Sequence, residues 1–247
     1  MYASRFITNS FSRTGKRSGN EDYLITGTVG EKAFFMVCDG VGGQTSGEVA
    51  SRLVCETFQR FFYDNPQKEI NESFIQEALS VIRASFDAHI RLHPESQQMA
   101  TTLTLAILHP AGISMAHLGD SRIYYFRNGK ILYQTRDHSL INELLDNDII
   151  SIEEAQNSNQ KHVITRAVSA MSSQSAHPSY HLQTDVQTGD LIFLCSDGVT
   201  ESLSPDALAT IFKQDPDISD AIHRIESTCA QYSHDNHTGI IVQIIDK

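Results

Sequence analysis

Cysteine is scarce in this 247-residue sequence, and no two of its four cysteines lie close together. Cys38, Cys55, Cys195 and Cys229 form no CxxC pair, so reduced, buried thiols are expected rather than zinc or a disulfide framework. Positive charge is also short: 19 lysines and arginines stand against 30 aspartates and glutamates, a formal net charge of −11. No basic cluster offsets this, so the chain is not expected to track a nucleic-acid backbone. No run approaches the ~18 apolar residues of a membrane span. The opening MYASRFITNSFSRTGKRSGN has no signal-peptide core. Repeats, low-complexity tracts and proline- or glycine-rich linkers are missing too. The expectation is a single cytoplasmic domain over 1–247, monomeric, with no membrane or nucleic-acid partner.

Strand-like segments rich in β-branched and aromatic residues lie at about 23–29, 33–38, 101–108, 112–118, 122–127, 130–133, 190–195 and 239–245. The Asn-Gly pair in RNGK (127–130) predicts a hairpin. Apolar residues at helical spacing mark helices over 46–64, 72–92 and 218–231, and Ser204-Pro205 opens a shorter one. Two helices in succession, followed by four strands with no room for crossovers, argue against a parallel sheet. They predict an α+β domain of antiparallel sheets with helices outside. The polar stretch 139–165 reads as a flap-like insertion over the surface.

Four times an aspartate marks the edge of an apolar strand: Asp39-Gly40 after AFFMVC, Asp120-Ser121 after ISMAHLG, Asp197-Gly198 after LIFLCS, and Asp235-Asn236 before GIIVQII. Each alone reads as turn chemistry. If the strand ends share one edge of stacked sheets, the carboxylates converge, and a divalent cation is the usual remedy for their repulsion. Oxygen ligands without histidine or cysteine suit Mg²⁺ or Mn²⁺ better than zinc. The glycines of CDGVGGQTSG (38–47) are no nucleotide loop. Gln44-Thr45 follows Gly43 where a Walker loop needs Lys-Ser/Thr, and threonine holds position 45 where GxGxxG needs glycine. In RSGNED (17–22), Arg17 is either a solvated turn residue or a bidentate grip on a phosphoryl group. Glu21 and Asp22 would then bind metal directly or through water.

Read in order, RSGNED (17–22), CDGVGG (38–43), ATTL (100–103), LGDSR (118–122), DHS (137–139), ITRAV (164–168), SDGV (196–199) and DNHT (235–238) resemble the metal-dependent type 2C serine/threonine protein phosphatases, in their compact bacterial form. The matches cover nearly the whole chain. The resemblance implies a four-layer αββα sandwich, two packed antiparallel sheets flanked by helices. It implies two or three Mn²⁺ or Mg²⁺ ions, with Asp39 bridging, the Gly40 carbonyl on the same centre, and Asp197 and Asp235 as direct ligands. Glu21 and Asp22 correspond to acids near the metals, Asp120 to a ligand of a third ion shared with Asp197, and Arg17 to the phosphate-binding arginine. A metal-bridging water would attack phosphorus directly, and the phosphorylated partner would be a Ser/Thr kinase or its targets.

The sequence departs from the family pattern at several places. Val41 stands where many eukaryotic members carry histidine, which leaves the leaving-group acid unassigned. Ala100 replaces a common glycine. His234, His237, His138 and His162 read as solvated loop residues, and Cys38 as a packing residue. A catalytically silent binding module and a phosphatase of small phosphorylated metabolites are the competing readings.

Overall fold

The computed structural model describes residues 5–41, 46–158, 160, 163–169, 177–215 and 217–246. Strands β1 (Arg5–Arg13), β2 (Asp22–Val29) and β3 (Lys32–Val41) come first, followed by helices α1 (Ser46–Asp64) and α2 (Glu72–Leu92). Strands β4 (Ala100–Thr101), β5 (Leu103–His109), β6 (Gly112–Leu118), β7 (Arg122–Arg127) and β8 (Lys130–Gln134) then run without a helix between them. Helices α3 (Leu140–Asp146) and α4 (Ile152–Asn157) precede strands β9 (Val168–Ser169), β10 (Ser179–Gln183) and β11 (Leu191–Cys195). Helices α5 (Asp197–Ser202), α6 (Pro205–Gln214) and α7 (Ile218–Tyr232) lead to β12 (His237–Asp246).

These strands form two antiparallel sheets, ordered β1-β12-β11-β7-β8 and β10-β6-β5-β3-β4-β9, with β2 added on β3. Alternation along each strand divides the core into layers. Phe34, Met36 and Cys38 of β3 pack under α1 and α2, whereas Ala33, Phe35 and Val37 face the other sheet. On β12, Ile241 meets α5–α7 while Ile240, Val242 and Ile244 complete the middle layer. Phe34 packs 5.1 Å from Phe58 and 4.8 Å from Phe62, ring centre to ring centre, fixing α1 to its sheet. The result is the αββα sandwich, and the periodicities over 46–64 and 72–92 correspond to α1 and α2.

Four elements depart from the sequence expectation. RFITNSFSR makes β1 although it is largely polar, because it is an edge strand paired only with β12. SYHLQ likewise makes the edge strand β10. Asp39-Gly40 is not a turn: β3 continues through both residues to Val41 and pairs with β4. Asp197-Gly198 opens α5, where Ser196 supplies an extended N-cap backbone and Leu203 N–H closes on Val199 C=O. Gly42 and Gly43 of the glycine-rich stretch, and His162, lie outside the described residues.

The stretch 139–165 closes on itself at its base. Ser139 bridges Ile164, Leu140 N–H donates to Val163 C=O (2.8 Å), and Thr165 N–H donates to His138 C=O (2.8 Å). Among the described residues no helix is long and apolar enough to cross a membrane.

Gly40 is where β3 and α1 touch. A methyl group there would overlap the backbone of Gly47, and Gly40 N–H donates to Glu21 C=O (3.1 Å), which also accepts from Ser51 Oγ of α1 (2.6 Å). Gly40→Ala is therefore expected to cost about 1–3 kcal/mol in urea unfolding, because two backbones must separate. An unchanged midpoint would contradict this close approach.

Candidate active site

Antiparallel register places Asp22 of β2 opposite Asp39 of β3, so the two side chains share one sheet face. That face looks toward the other sheet, whose Ser196 donates from Oγ to Asp22 Oδ2 (2.7 Å). Ser196 follows the last residue of β11, and Asp197 comes next. Asp235 stands just before β12. Asp120 sits in the bend between β6 and β7, after Gly119, whose φ of +98° favours glycine. Arg17, Glu21, Asp39, Gly40, Asp120, Asp197 and Asp235 all line one cavity of about 410 Å³. Asp22 does not reach it. It lies beneath, 6% exposed, with Oδ1 buried and without a hydrogen-bond partner.

The electrostatics follow from this crowding. Burial first, then the charges of Asp22, Asp197 and Asp120, push Asp39 well above the usual carboxylate range. Asp22 is pushed up to about 7 by burial and by Asp197 and Asp235, although its hydrogen bonds to Ser196 and Thr238 work the other way. Asp120 is also pushed up to about 7, by burial and by Asp197 and Asp137. Arg17 meets one of these acids directly: its Nη2 lies 2.6 Å from Asp235 Oδ2, with the guanidinium largely exposed. Among the described residues no three His, Cys, Asp or Glu side chains are drawn close enough together to hold an ion as they stand.

Around the acids runs a hydrogen-bonded frame that the sequence analysis did not assign. Asp39 N–H donates to Thr102 Oγ1 (2.9 Å), and Asp39 C=O accepts from Thr102 N–H (2.8 Å) and Thr101 Oγ1 (2.8 Å). Thr102 Oγ1 in turn shares a hydrogen bond with Ser121 Oγ (2.7 Å). Asn236 fastens the Arg17 loop: its Nδ2 donates to Thr14 C=O and Gly19 C=O, and its Oδ1 accepts from Glu21 N–H. Arg122 holds Asp137 with two bonds of 2.7 Å, tying the Asp120 bend to the base of the 139–165 stretch. Thr101, Thr102, Ser121, Arg122 and Asn236 each sit in one of the short motifs, and none of them is an acid.

Two histidine expectations are overturned. His237 is buried rather than solvated, since it begins the central strand β12 and packs on Phe11, with its Nδ1 donating to Asp235 C=O (3.2 Å). His138 is buried and stacked on His117 at 4.4 Å, accepting from Gly119 N–H at Nδ1 and bonding Ser179 Oγ at Nε2 (2.9 Å). His234 is exposed, as expected, beside Glu201. Cys38 packs in the α1 core, and Cys55, Cys195 and Cys229 are buried free thiols. The cavity opens into a larger groove of about 910 Å³ that shares Arg17, Asp120, Asp197 and Asp235 with it. This groove runs between the α3–α4 stretch and the α5 residues Thr200 and Glu201.

Asn236→Ala removes three hydrogen bonds from a side chain that is itself buried, and takes from Glu21 N–H and Gly19 C=O the partners that hold the Arg17 loop. It is expected to cost about 2–3 kcal/mol in denaturant unfolding, and a cost near zero would contradict the fastening role. Burial, then the charges of His117 and Arg166, lower His138 to about 3. The unfolded chain takes up that proton near about 6.5. The stability tied to this histidine is therefore fully present above about 6.5 and is lost as pH falls toward 3. Its ring resonances should stay those of a neutral imidazole down to pH 5, and titration near pH 6.5 would contradict the buried assignment.

Comparison with known proteins agrees with this fold. Residues 12–236 match the family model "Protein phosphatase 2C". The chain is 28% identical over 231 residues to the serine/threonine protein phosphatase PstP of Mycobacterium tuberculosis, covering 93% of this chain and 43% of that protein. It thus spans less than half the length of that relative. It is 29% identical over 216 residues to the serine/threonine phosphatase stp of Listeria monocytogenes, covering 84% of this chain and 83% of that protein. The crystal structure of the PstP catalytic domain in complex with two manganese ions superposes with a TM-score of 0.82 at 27% identity, covering 98% of this chain and 99% of that one. With one family model spanning the chain from β1 to the threshold of β12, the protein belongs to the protein phosphatase 2C family.

Proposed function

We propose that the chain is a metal-dependent protein serine/threonine phosphatase that hydrolyses phosphoserine or phosphothreonine by direct attack of water on phosphorus. The observation that carries this reading is the convergence of Glu21, Asp39, Asp120, Asp197 and Asp235 with Arg17 on one cavity. The donor set fits divalent cations. It consists of hard oxygens, burial and then neighbouring acids hold Asp39 and Asp120 above the usual carboxylate range, and Asp22 beneath it keeps an unpartnered buried oxygen. Asp39, the Gly40 carbonyl, Asp197, Asp235 and Glu21 would hold two Mn²⁺ or Mg²⁺ ions, with Asp120 and Asp197 available to a third. Bound there, such cations lower the pKa of water and offset charge on phosphoryl oxygens.

The chain's own residues supply the remaining parts. Thr101 and Thr102 fix the Asp39 backbone, so its carboxylate stays aimed into the cavity. Asn236 holds the loop that carries Arg17. Arg17 is charged and mostly exposed, at the rim shared by cavity and groove, and a phosphoryl group can take its fork in place of Asp235. No covalent cysteine intermediate is involved. All four thiols are buried, and burial raises Cys38, Cys195 and Cys229 far from the thiolate range. The groove continues the cavity past Arg17, Asp120, Asp197 and Asp235, which gives room for the residues that flank a phosphorylated side chain in a protein. Such a substrate is supplied by a serine/threonine kinase. The retained acids favour an active enzyme over a silent module.

In Mn²⁺ or Mg²⁺ buffer the purified chain should release phosphate from a small aryl phosphate and from phosphothreonine peptides, and EDTA should stop it. Asp39→Asn should lower kcat by about 10²–10³-fold or more. Arg17→Ala should act mainly on KM for phosphorylated substrates. Wild-type turnover in Asp39→Asn would sink the reading.

A further inference from the structure

We propose that the groove beside the cavity is a subsite for a large aliphatic side chain flanking the phosphorylated residue, and that Ile152 determines this specificity; the inference rests on the phosphatase reading above. Cavity and groove share Arg17, Asp120, Asp197 and Asp235 at their junction. A phosphorylated side chain reaching the acids therefore leaves its neighbours in the groove. The two walls of the groove differ. On one side Ile141, Leu145, Ile152 and Ala155 from α3 and α4 form an aliphatic surface. Ile141 and Ala155 are buried within it, whereas Ile152 is 71% exposed at its edge.

Ile152 is not carried on a frayed end. It is the first residue of α4, directly after Ser151, whose Oγ accepts from Glu154 N–H while Glu154 Oε2 accepts from Ser151 N–H (2.8 Å). A β-branched residue at an exposed first helical position gains nothing for the helix, and most of its side chain is left open to the groove. The charges on this wall are already matched. Arg122 is spanned by Asp137 at 2.7 Å, and Arg136 meets Asp146 at 2.6 Å. Packed against the α3–α4 wall, a charged flanking residue would lose hydration and find no unmatched partner on it, because the other acids of the groove lie at the junction and on the opposite wall, while an aliphatic one removes apolar surface from water. The opposite wall, with Thr200, Glu201 and His234, is polar and leaves the substrate backbone solvated. The occupant is therefore an isoleucine, leucine or valine next to the phosphorylated residue.

The test uses phosphothreonine peptides that differ only in whether leucine, glycine, aspartate or lysine occupies each flanking position in turn, with a small aryl phosphate as reference. Wild-type protein should favour leucine over glycine by about tenfold in kcat/KM at one flanking position, an effect on KM rather than kcat. In Ile152→Asp that ratio should fall to about one, and Ile152→Leu should restore it. Aspartate suits the first turn of a helix, so the variant should fold, and thermal unfolding checks this. No preference at any position, or a preference that persists in Ile152→Asp, overturns the subsite while leaving the phosphatase reading intact. Failure to hydrolyse both peptides and aryl phosphate instead overturns the phosphatase reading itself.

Discussion

Two aspartates opposed across a strand pair are the constraint around which this molecule is arranged. Like charges at directly paired positions destabilise a sheet, and Asp22 and Asp39 are paired on the face that looks into the sandwich. Asp120 and Asp197 add to the conflict from other strand ends. A fold tolerates such a cluster only where the rest of the structure holds it in place. Here the middle layer of Phe35, Val37, Ile192, Leu194, Ile240 and Val242 brings the two sheets together and with them their acidic edges. Local rules broken in this way mark functional sites.

What holds the acids is mostly neutral. Threonines clamp the Asp39 backbone, Ser196 caps Asp22, and Asn236 closes the Arg17 loop with three hydrogen bonds. A two-bond ion pair, Arg122 with Asp137, links the Asp120 bend to the base of the 139–165 stretch. The base of the 139–165 stretch is therefore mechanically connected to the acids of the cavity.

The fold and the cavity acids were legible because both depend on periodicity and on residues with few alternative uses. Apolar spacing of three and four marks α1, α2 and α7, and strand-end aspartates recur at a sheet edge. The misses share a cause. Strand β1 is an edge strand whose polar sequence is determined by its partner β12 rather than by its own propensity. Asp39-Gly40 and Asp197-Gly198 have turn-like sequences, yet long-range pairing and a helix N-terminus decide their conformation. His138 and His237 sit in polar motifs that gave no hint of burial; stacking on His117 and a place in a central strand put them inside. Asp22 could not be separated from Glu21 by spacing, but strand alternation sends it beneath the cavity rather than into it.

The central claim is that the cavity acids around Asp39 form a site for divalent cations. Calorimetric titration of the purified chain with Mn²⁺, in parallel with Asp39→Asn, addresses it without requiring a substrate. The account predicts saturable binding of at least two ions per chain, with a rise in thermal stability, and loss of both in Asp39→Asn. No saturable binding, or equal binding by Asp39→Asn, would contradict it.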